Sequence, residues 1–133
     1  MSAHTVSAKN ALVTVVIPTR NRPELAAKAV ESALRQTYPS LEVIVVMDGP
    51  DPETLNRLNR LHEPRLQVIA LPSSVGGAEA RNIGVRSARG DWIAFLDDDD
   101  EWLPEKIARQ MRGAGCLHER FPILSCQIGR AHV

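Results

Sequence analysis

The chain has 133 residues, enough for one domain with a modest hydrophobic core. Basic and acidic side chains number 16 each, so a net charge of zero gives no electrostatic reason to expect nucleic acid as a partner. The sequence contains neither an apolar run near the roughly 20 residues that cross a bilayer nor an N-terminal signal segment. We therefore expect a cytoplasmic location and no transmembrane segment in this chain. If the chain is part of a longer protein, that protein could act at the cytoplasmic face of a membrane. Cys116 and Cys126 form no metal-binding pattern and are expected to be reduced.

The first half of the chain predicts two strands, each followed by a helix. Residues 12–17 are β-branched and almost continuously apolar, which is typical of a central parallel strand, and Pro18 is expected to end it. A helix should follow, with Asn21 as its cap and Glu24 completing a capping box. Residues 41–47 predict a second buried strand. A second helix is then expected, with Asp51 as its N-cap and Pro52 at its first position.

The second half continues the alternation. It predicts a short third strand (66–71), a loop (72–77), a third helix (78–88), a fourth strand (92–96) and a helix from 105 to about 112. Residues 121–127 are apolar enough to begin a fifth strand. Strands that alternate with helices indicate an α/β fold, with a mostly parallel open sheet and helices on both faces.

Both ends of the chain are expected to lie outside this domain. Residues 1–10 are small and polar, and they predict a loose tail. Residues 128–133 match a translated adapter oligonucleotide, so we expect the natural sequence to end near Gln127 and the gene to be truncated there. A genuine short terminus is the alternative. We assign the domain to residues 11–127 and expect it to be incomplete.

Four aspartates, Asp97 to Asp100, directly follow the apolar fourth strand. Carboxylates at this spacing repel one another unless a cation or water offsets their charge. The carboxyl end of a strand is where open α/β sheets hold ligands, and oxygen ligands suit Mg²⁺ or Mn²⁺, which often carry phosphates. We therefore predict a divalent metal here. The alternative is a solvated acidic loop that begins the next helix.

Other residues with binding chemistry also follow predicted strands. Asp48 ends the second strand, although it also fits a simple turn with the glycine and proline after it. Gly76 and Gly77 allow the backbone to approach a ligand closely. The planar donors of Arg81 match phosphate oxygens, with a solvated helix residue as the alternative. Asn21 suits a ligand contact as well as a helix cap.

Four motifs stand in order along the chain: VVIPTRNR at 15–22, VVMDG at 45–49, GGAEARNIG at 76–84 and FLDDDDEWLP at 95–104. Each is weak alone, but the ordered set resembles the family 2 glycosyltransferases of the GT-A fold over about residues 12–111. The resemblance implies a Rossmann-like nucleotide-binding half that uses a nucleotide-diphosphate-sugar donor. It also implies sugar transfer with inversion at the anomeric carbon and a Mg²⁺ or Mn²⁺ cofactor.

The resemblance further implies roles for individual residues. The nucleobase pocket would be lined by Pro18, Thr19, Arg20 and Asn21. Asp48 would hydrogen-bond the base. The chemistry of the residues agrees with these roles, since Arg81 suits a second cation for the diphosphate and Gly76 lets the backbone come close to a ligand. The Asp-x-Asp motif of the family falls on Asp97 and Asp99. Of these, Asp97 would contact the ribose or the metal, and Asp99 would hold the metal that bridges the two phosphates. Asp98 would contribute to donor binding, and Asp100 is a further acid to which no specific role is assigned.

No residue is assigned as the catalytic base. Inverting enzymes need a base to deprotonate the acceptor, and in this family that carboxylate lies well beyond the Asp-x-Asp motif, in the acceptor half. We therefore expect the chain to bind the donor but to catalyse little by itself.

Other functions remain open at this point. A non-catalytic nucleotide-sugar-binding module and an inert fragment are the first alternative. A sugar nucleotidyltransferase is disfavoured because residues 18–23 lack glycine, and a dinucleotide oxidoreductase because no Gly-x-Gly-x-x-Gly follows the first strand. The base and the sugar are undetermined, and the acceptor could be a glycan, a lipid carrier, a protein or a small molecule.

Overall fold

A computed structural model describes residues 11–114 and 123–124. Strands and helices alternate as predicted: β1 (Val13–Thr19), α1 (Pro23–Leu34), β2 (Leu41–Met47), α2 (Pro52–Asn59), β3 (Leu66–Ala70), α3 (Gly77–Ser87), β4 (Trp92–Phe95), α4 (Lys106–Ala114) and β5 (Ile123–Leu124). The predictions for residues 1–10, residues 128–133 and the two cysteines lie outside the described residues. Within residues 11–114, no helix has the length and apolar character that a bilayer span requires.

The five strands form one parallel sheet in the order β3-β2-β1-β4-β5. The chain moves outward from β1 to β3 and then crosses to the other side of β1 to form β4. The order therefore reverses between β1 and β4, and open α/β sheets bind ligands outside the carboxyl ends of their strands at such a switch point. The predicted α/β fold and the predicted fifth strand are confirmed.

Helices cover both faces of the sheet. Successive side chains of a strand point to opposite faces, and β1 and β2 are buried almost throughout. One face packs Val15 and Val43 into a core with Val30 of α1 and Ile107 of α4. The other face packs β2 against α3, in a smaller cluster around Ala80.

Gly84 allows α3 to lie unusually close to the sheet. A Cβ atom at this position would stand 2.5 Å from Cγ1 of Val16 and 3.3 Å from Cγ2 of Val46, and both valines are fully buried. Real Cβ atoms essentially never approach another heavy atom so closely. The absence of a side chain at Gly84 therefore sets the distance between α3 and the strands that carry the site.

The prediction that Pro18 ends the first strand is wrong, because β1 continues to Thr19. Alternate residues of a parallel strand face opposite neighbours. The carbonyl oxygen of Val16 accepts from the Leu96 N–H, so Val16 faces β4, and Pro18, two residues later, faces β4 as well. The ladder between β1 and β4 has already ended at the pair Val16 and Phe95. The missing N–H of Pro18 therefore costs the sheet no ladder bond, as at strand positions where proline is tolerated.

The predicted capping box of the first helix is also wrong. Helix α1 begins at Pro23, and its N-cap is Arg22, which makes no side-chain capping bond. Asn21 has a φ of +53° and directs its N–H to Oδ2 of Asp51, at 2.8 Å. The other Asp51 oxygen accepts from the Thr54 N–H and caps α2, as predicted. One aspartate thus fixes the loop before α1 and the start of α2.

The boundaries of four other predicted elements shift by one or two residues. Helix α3 is Gly77–Ser87 rather than 78–88, β4 ends at Phe95 rather than at residue 96, and β3 ends at Ala70 rather than at residue 71. Helix α4 begins at Lys106, so Pro104 and Glu105 stand outside it. These shifts leave the positions of the motifs in the fold unchanged.

A buried carboxylate, Glu42, holds the opposite end of the sheet together. It is 6% exposed and accepts hydrogen bonds from the Thr14 hydroxyl (2.6 Å), from the Arg89 N–H (2.8 Å) and from the Arg89 guanidinium (3.0 Å). Burial alone would raise the pKa of Glu42, but the bonds from Thr14 and Arg89 outweigh it and hold the pKa below its ordinary value. Glu42 therefore fixes the turn before β4 against β1 and β2.

We expect Glu42→Gln to lower the free energy of unfolding at neutral pH by about 1–3 kcal/mol, since hydrogen bonds to a charged, buried group are lost. Because the folded-state pKa of Glu42 lies below the unfolded value of about 4.3, its ionised form stabilises the protein above that pH, and the contribution is lost as the pH falls further. Urea unfolding at pH 7 and pH 3.5 should thus show a smaller acid loss for Glu42→Gln than for the unsubstituted chain. Equal losses would contradict this role.

Candidate functional site

A cleft of about 440 Å³ opens at the carboxyl ends of β1, β2 and β4, where the strand order reverses. Its lining residues are Pro18, Thr19, Arg20, Arg22, Asp48, Gly77, Arg81, Asp97, Asp98 and Asp99. The cleft therefore gathers all the predicted site residues except Asn21 and Gly76. Arg22 was not predicted as a site residue. It stands in the same motif as Thr19, and this closeness in sequence could have indicated that it lines the cleft.

Three of the four consecutive aspartates converge. Asp97, Asp99 and Asp100 each offer a carboxylate oxygen, and these oxygens lie within 4.8 Å of one another. Divalent cations sit about 2.0–2.6 Å from oxygen ligands, so a single ion can reach oxygens at this spacing. The carboxylates are at least partly exposed to solvent, which leaves room for further ligands. The arrangement brings together the predicted pair Asp97 and Asp99, and it adds Asp100.

Asp98 turns away from the other three. Its Oδ2 accepts from the Thr19 hydroxyl at 2.7 Å, and its Oδ1 lies 3.2 Å from the Arg22 guanidinium. Its side chain is only 11% exposed. Asp98 therefore ties the segment after β4 to the end of β1, while Asp97 and Asp99 remain more exposed to solvent.

Arg81 projects from the second turn of α3 towards the acidic residues. Its guanidinium donates to Oδ1 of Asp97 at 3.2 Å, and both side chains are partly exposed. Gly77, one turn earlier, lies beside the same guanidinium, since a Cβ there would stand 3.5 Å from one of its nitrogens. A cation thus stands beside the carboxylates, where an anionic ligand bound to a metal could reach it.

Asp48 ends β2 and is 7% exposed. Its Oδ1 accepts from the Val75 N–H at 2.6 Å, and its Oδ2 accepts from the Ser74 hydroxyl at 3.0 Å and from the Gly76 N–H at 3.1 Å. The bond from Val75, with those from Ser74 and Gly76 and the nearby charge of Arg20, outweighs burial and holds the pKa of Asp48 below its ordinary value. Asp48 is therefore ionised at neutral pH.

The charges of the cleft fall into two groups. Asp98 is paired with Arg22, and the carboxylate of Asp48 accepts hydrogen bonds from the loop that follows β3. The carboxylates of Asp97 and Asp99 and the guanidinium of Arg81 remain partly exposed at one end. Anionic ligand oxygens bridged to a divalent cation would complement both signs of charge there, because the cation takes the carboxylates and the arginine takes the anion.

Two predicted contacts lie outside the lining of the cleft. Asn21 is exposed, and its N–H is committed to Asp51. Gly76 directs its N–H to Asp48 rather than into the cleft. Gly76 does adopt the backbone geometry expected of glycine here, with a φ of +96° just before α3.

Comparison with known proteins gives a consistent result. A model of the family described as "Glycosyl transferase family 2" matches residues 14–115. WfaP of Escherichia coli, a UDP-Glc:alpha-D-GlcNAc-diphosphoundecaprenol beta-1,3-glucosyltransferase, is 37% identical over 100 residues, which cover 75% of this chain and 40% of WfaP.

Two solved structures share the fold. S. aureus TarS 1-349 in complex with UDP-GlcNAc matches with a TM-score of 0.66 and 27% identity, over 77% of this chain and 30% of that one. The mannosyltransferase PcManGT from Pyrobaculum calidifontis, in complex with GDP-Man and Mn²⁺, matches with a TM-score of 0.68 and 26% identity, over 81% of this chain and 32% of that one.

The chain spans about two-fifths or less of the length of these relatives. Within that span, the family match covers about three-quarters of the chain and includes every residue that lines the cleft. The motifs, the sheet order and the GT-A fold agree with it. The chain therefore belongs to glycosyl transferase family 2.

Proposed function

We propose that the cleft binds a nucleotide-diphosphate sugar as the donor of a sugar-transfer reaction. The observation that carries this proposal is the convergence of Asp97, Asp99 and Asp100 beside Arg81, in a cleft at the switch point of the sheet. The donors in the two solved relatives, UDP-GlcNAc and GDP-Man, are of this class. The cleft volume of about 440 Å³ is within the range of small-molecule sites.

In this proposal Asp97 and Asp99 hold Mg²⁺ or Mn²⁺, and Asp100 is a third candidate ligand. The hard oxygen ligands and their spacing fit such an ion, and PcManGT was solved with Mn²⁺. When bound, the ion would help neutralise the negative charge that develops on the departing nucleoside diphosphate. Arg81 would bind the diphosphate from the side of α3 with its planar donors.

The rest of the cleft would receive the nucleoside. Pro18 and Thr19 at the end of β1, and Arg20 just after it, line the cleft together with Gly77 and Arg81. Asp98 would act by holding Thr19 and Arg22 in this lining. We leave Asn21 and Gly76 out of the contacts proposed for the donor, because their N–H groups already have protein partners.

The proposal is tested by calorimetry with UDP and GDP, each with Mn²⁺ and after metal removal by chelation. We expect one of the two nucleotides to bind in the presence of Mn²⁺ and to bind much more weakly without it. Binding that ignores the metal would contradict the role of the aspartates. Absence of binding by either nucleotide under all conditions would instead favour an inert fragment.

A second prediction concerns the arginine beside the aspartates. Arg81→Gln should weaken Mn²⁺-dependent nucleotide binding at least about tenfold, since a charge-assisted bond to phosphate is worth roughly 1.5–3 kcal/mol. Arg86→Gln is the matched control, because Arg86 lies on the same helix but pairs with Glu79 at an exposed position. Equal effects of the two substitutions would show a general charge effect and contradict a direct contact.

Transfer itself is the third prediction. We propose that these 133 residues bind the donor without turning it over, because the relatives that carry the activity are more than twice as long. A coupled assay that detects released UDP or GDP in the presence of candidate acceptors should remain at background. Robust turnover would overturn this proposal.

The proposal also concerns the acceptor and the location of the reaction in the cell. We propose no single acceptor class among a glycan, a lipid carrier, a protein and a small molecule; the name of WfaP specifies a diphosphoundecaprenol-linked sugar for that relative. We propose action in the cytoplasm, at the cytoplasmic face of a membrane if the acceptor is lipid-linked. Comparing soluble sugars with lipid-linked ones as acceptors, for a form of the protein that turns over the donor, distinguishes these cases.

A further inference from the structure

The acidic turn, residues 97–100, is held from both sides. On one side, β4 pairs with β1 up to two residues before the turn. On the other side, the N–H of Trp102 is bound by the end of α1. Within the turn, the Asp100 N–H donates to the Asp97 carbonyl at 3.1 Å. The positions of Asp99 and Asp100 relative to Asp97 therefore depend on where Trp102 is held.

The group that binds Trp102 is the hydroxyl of Ser32, in the last turn of α1. The Trp102 N–H donates to Oγ of Ser32 at 3.1 Å, and the same hydroxyl donates to the Ala29 carbonyl at 2.8 Å. Both side chains are buried. Because the hydroxyl uses its proton within α1, it is oriented to accept from Trp102. A backbone bond from the Thr37 N–H to the Pro104 carbonyl, at 2.8 Å, joins the same two segments.

Gln36, just after α1, binds the same segment with its side-chain amide. Its Nε2 donates to the Leu103 carbonyl at 2.8 Å and to the Ser32 carbonyl at 3.2 Å, and its Oε1 accepts from the Ile107 N–H at 2.9 Å. Ile107 is the second residue of α4, where backbone N–H groups lack partners inside the helix. Gln36 is 7% exposed, so water cannot readily replace these bonds. Gln36 therefore fixes both the segment after the acidic turn and the start of α4.

The segment held in this way has no regular structure of its own. Residues 101–105 lie between β4 and α4 and belong to no helix or strand. The side chains that bind them stand 67–70 positions earlier in the chain. Trp102 follows Asp99 by only three positions, so a shift of this segment would move the second half of the acidic turn with it.

We infer that Ser32 and Gln36 are positioning residues, which act through residues 101–105 on Asp99 and Asp100 and so keep their carboxylates within reach of one metal ion. The inference rests on the proposed donor site and extends it to two buried residues that do not line the cleft. It makes a prediction that a purely structural role does not. Loss of either side chain should weaken metal-dependent binding in a chain that remains folded.

The test measures the affinity for Mn²⁺-UDP, or for Mn²⁺-GDP if that is the nucleotide bound, by calorimetry. Gln36→Met keeps the length of the side chain but removes the amide. We expect it to weaken binding about tenfold, the lower end of the range for groups that orient a metal ligand. Ser32→Ala removes one bond and should weaken binding about threefold. Glu42→Gln is the control, because it removes buried hydrogen bonds at the opposite end of the sheet and should leave the affinity unchanged.

A double variant shows whether Gln36 acts through the aspartates. In a chain that already carries Asp99→Asn, the orientation of residue 99 matters much less for the ion. Gln36→Met should therefore weaken binding by only about threefold or less in that background, so the two effects are not additive in free energy. A loss by the same factor in both backgrounds would overturn the inference, because it would show that Gln36 acts on another part of the cleft.

Urea unfolding of each variant establishes that it is folded, and Ser32→Ala replaces Gln36→Met in both comparisons if the latter is not. Unchanged affinity in the folded variant, with the Mn²⁺-nucleotide bound by the unsubstituted chain, overturns the inference and leaves the donor site standing. If the unsubstituted chain binds neither nucleotide, the proposed donor site fails and the inference fails with it.

Discussion

Asp99→Asn should reduce Mn²⁺-dependent nucleotide binding by at least about 100-fold, because loss of a direct ligand should exceed the roughly 10–100-fold cost of losing an outer-shell partner. Asparagine preserves the shape of the side chain but removes its charge, so the change tests coordination rather than packing. Asp99 is exposed and lies in the turn after β4, so we expect the substitution to leave the fold unchanged. Titration with Mn²⁺ and nucleotide by calorimetry gives the affinity directly.

Glu101→Gln is the control for this experiment. It removes the same charge from the same acidic run at an exposed residue outside the converging set. We expect it to change nucleotide affinity less than threefold, since an exposed charge that does not coordinate the ion is screened by water and salt. A loss as large as that of Asp99→Asn would contradict coordination and indicate that the run acts only through its summed charge.

Gly84→Val should lower the free energy of unfolding by about 3 kcal/mol, the upper end of the usual range for overpacking. The contact at issue is between α3 and the sheet, where even a single Cβ atom would stand 2.5 Å from Cγ1 of Val16. The better helix propensity of a residue with a side chain recovers under about 1 kcal/mol. Against a typical domain stability of 5–15 kcal/mol, this is a large effect, and urea unfolding would measure it.

A compensating substitution tests the cause of the effect. Val16→Ala removes the two methyl groups that the new side chain would meet, so the pair Gly84→Ala and Val16→Ala should be more stable than the sum of the two single changes predicts. The same pair should partly restore nucleotide binding if α3 has been displaced. Strict additivity of the two free-energy changes would show that steric contact with Val16 is not the cause.

Much of the fold was predictable because local patterns and tertiary packing agree. The unbroken apolar runs of β1 and β2 indicate strands buried on both faces, and both are buried in the structure. Asp51 followed by Pro52 predicts the start of α2 correctly, since the capping bond spans only three residues. The sequence correctly predicts that the aspartates after β4 lie at the ligand-binding end of the sheet, because the carboxyl ends of all strands in a parallel sheet lie on the same side.

The errors occur where a distant group competes with a local signal. Asn21 has the right chemistry for a cap, but Asp51, 30 residues away, binds its N–H and leaves Arg22 at the start of α1. Pro18 predicts the end of a strand, yet its missing N–H falls where the ladder with β4 has stopped. Neither outcome can be obtained from windows of a few residues.

The order of strands and helices along the chain, the parallel sheet and the family could be inferred from the amino-acid sequence, because these depend on local periodicity and on motifs in a fixed order. The roles of the individual charged residues, in contrast, depend on the fold. Asp98 turns to Thr19 while Asp97, Asp99 and Asp100 converge, and Asp48 is directed at the loop 74–76. The physical reason is that the partner of a buried carboxylate is chosen by whichever donors the fold brings within about 3 Å, and these lie far away in sequence.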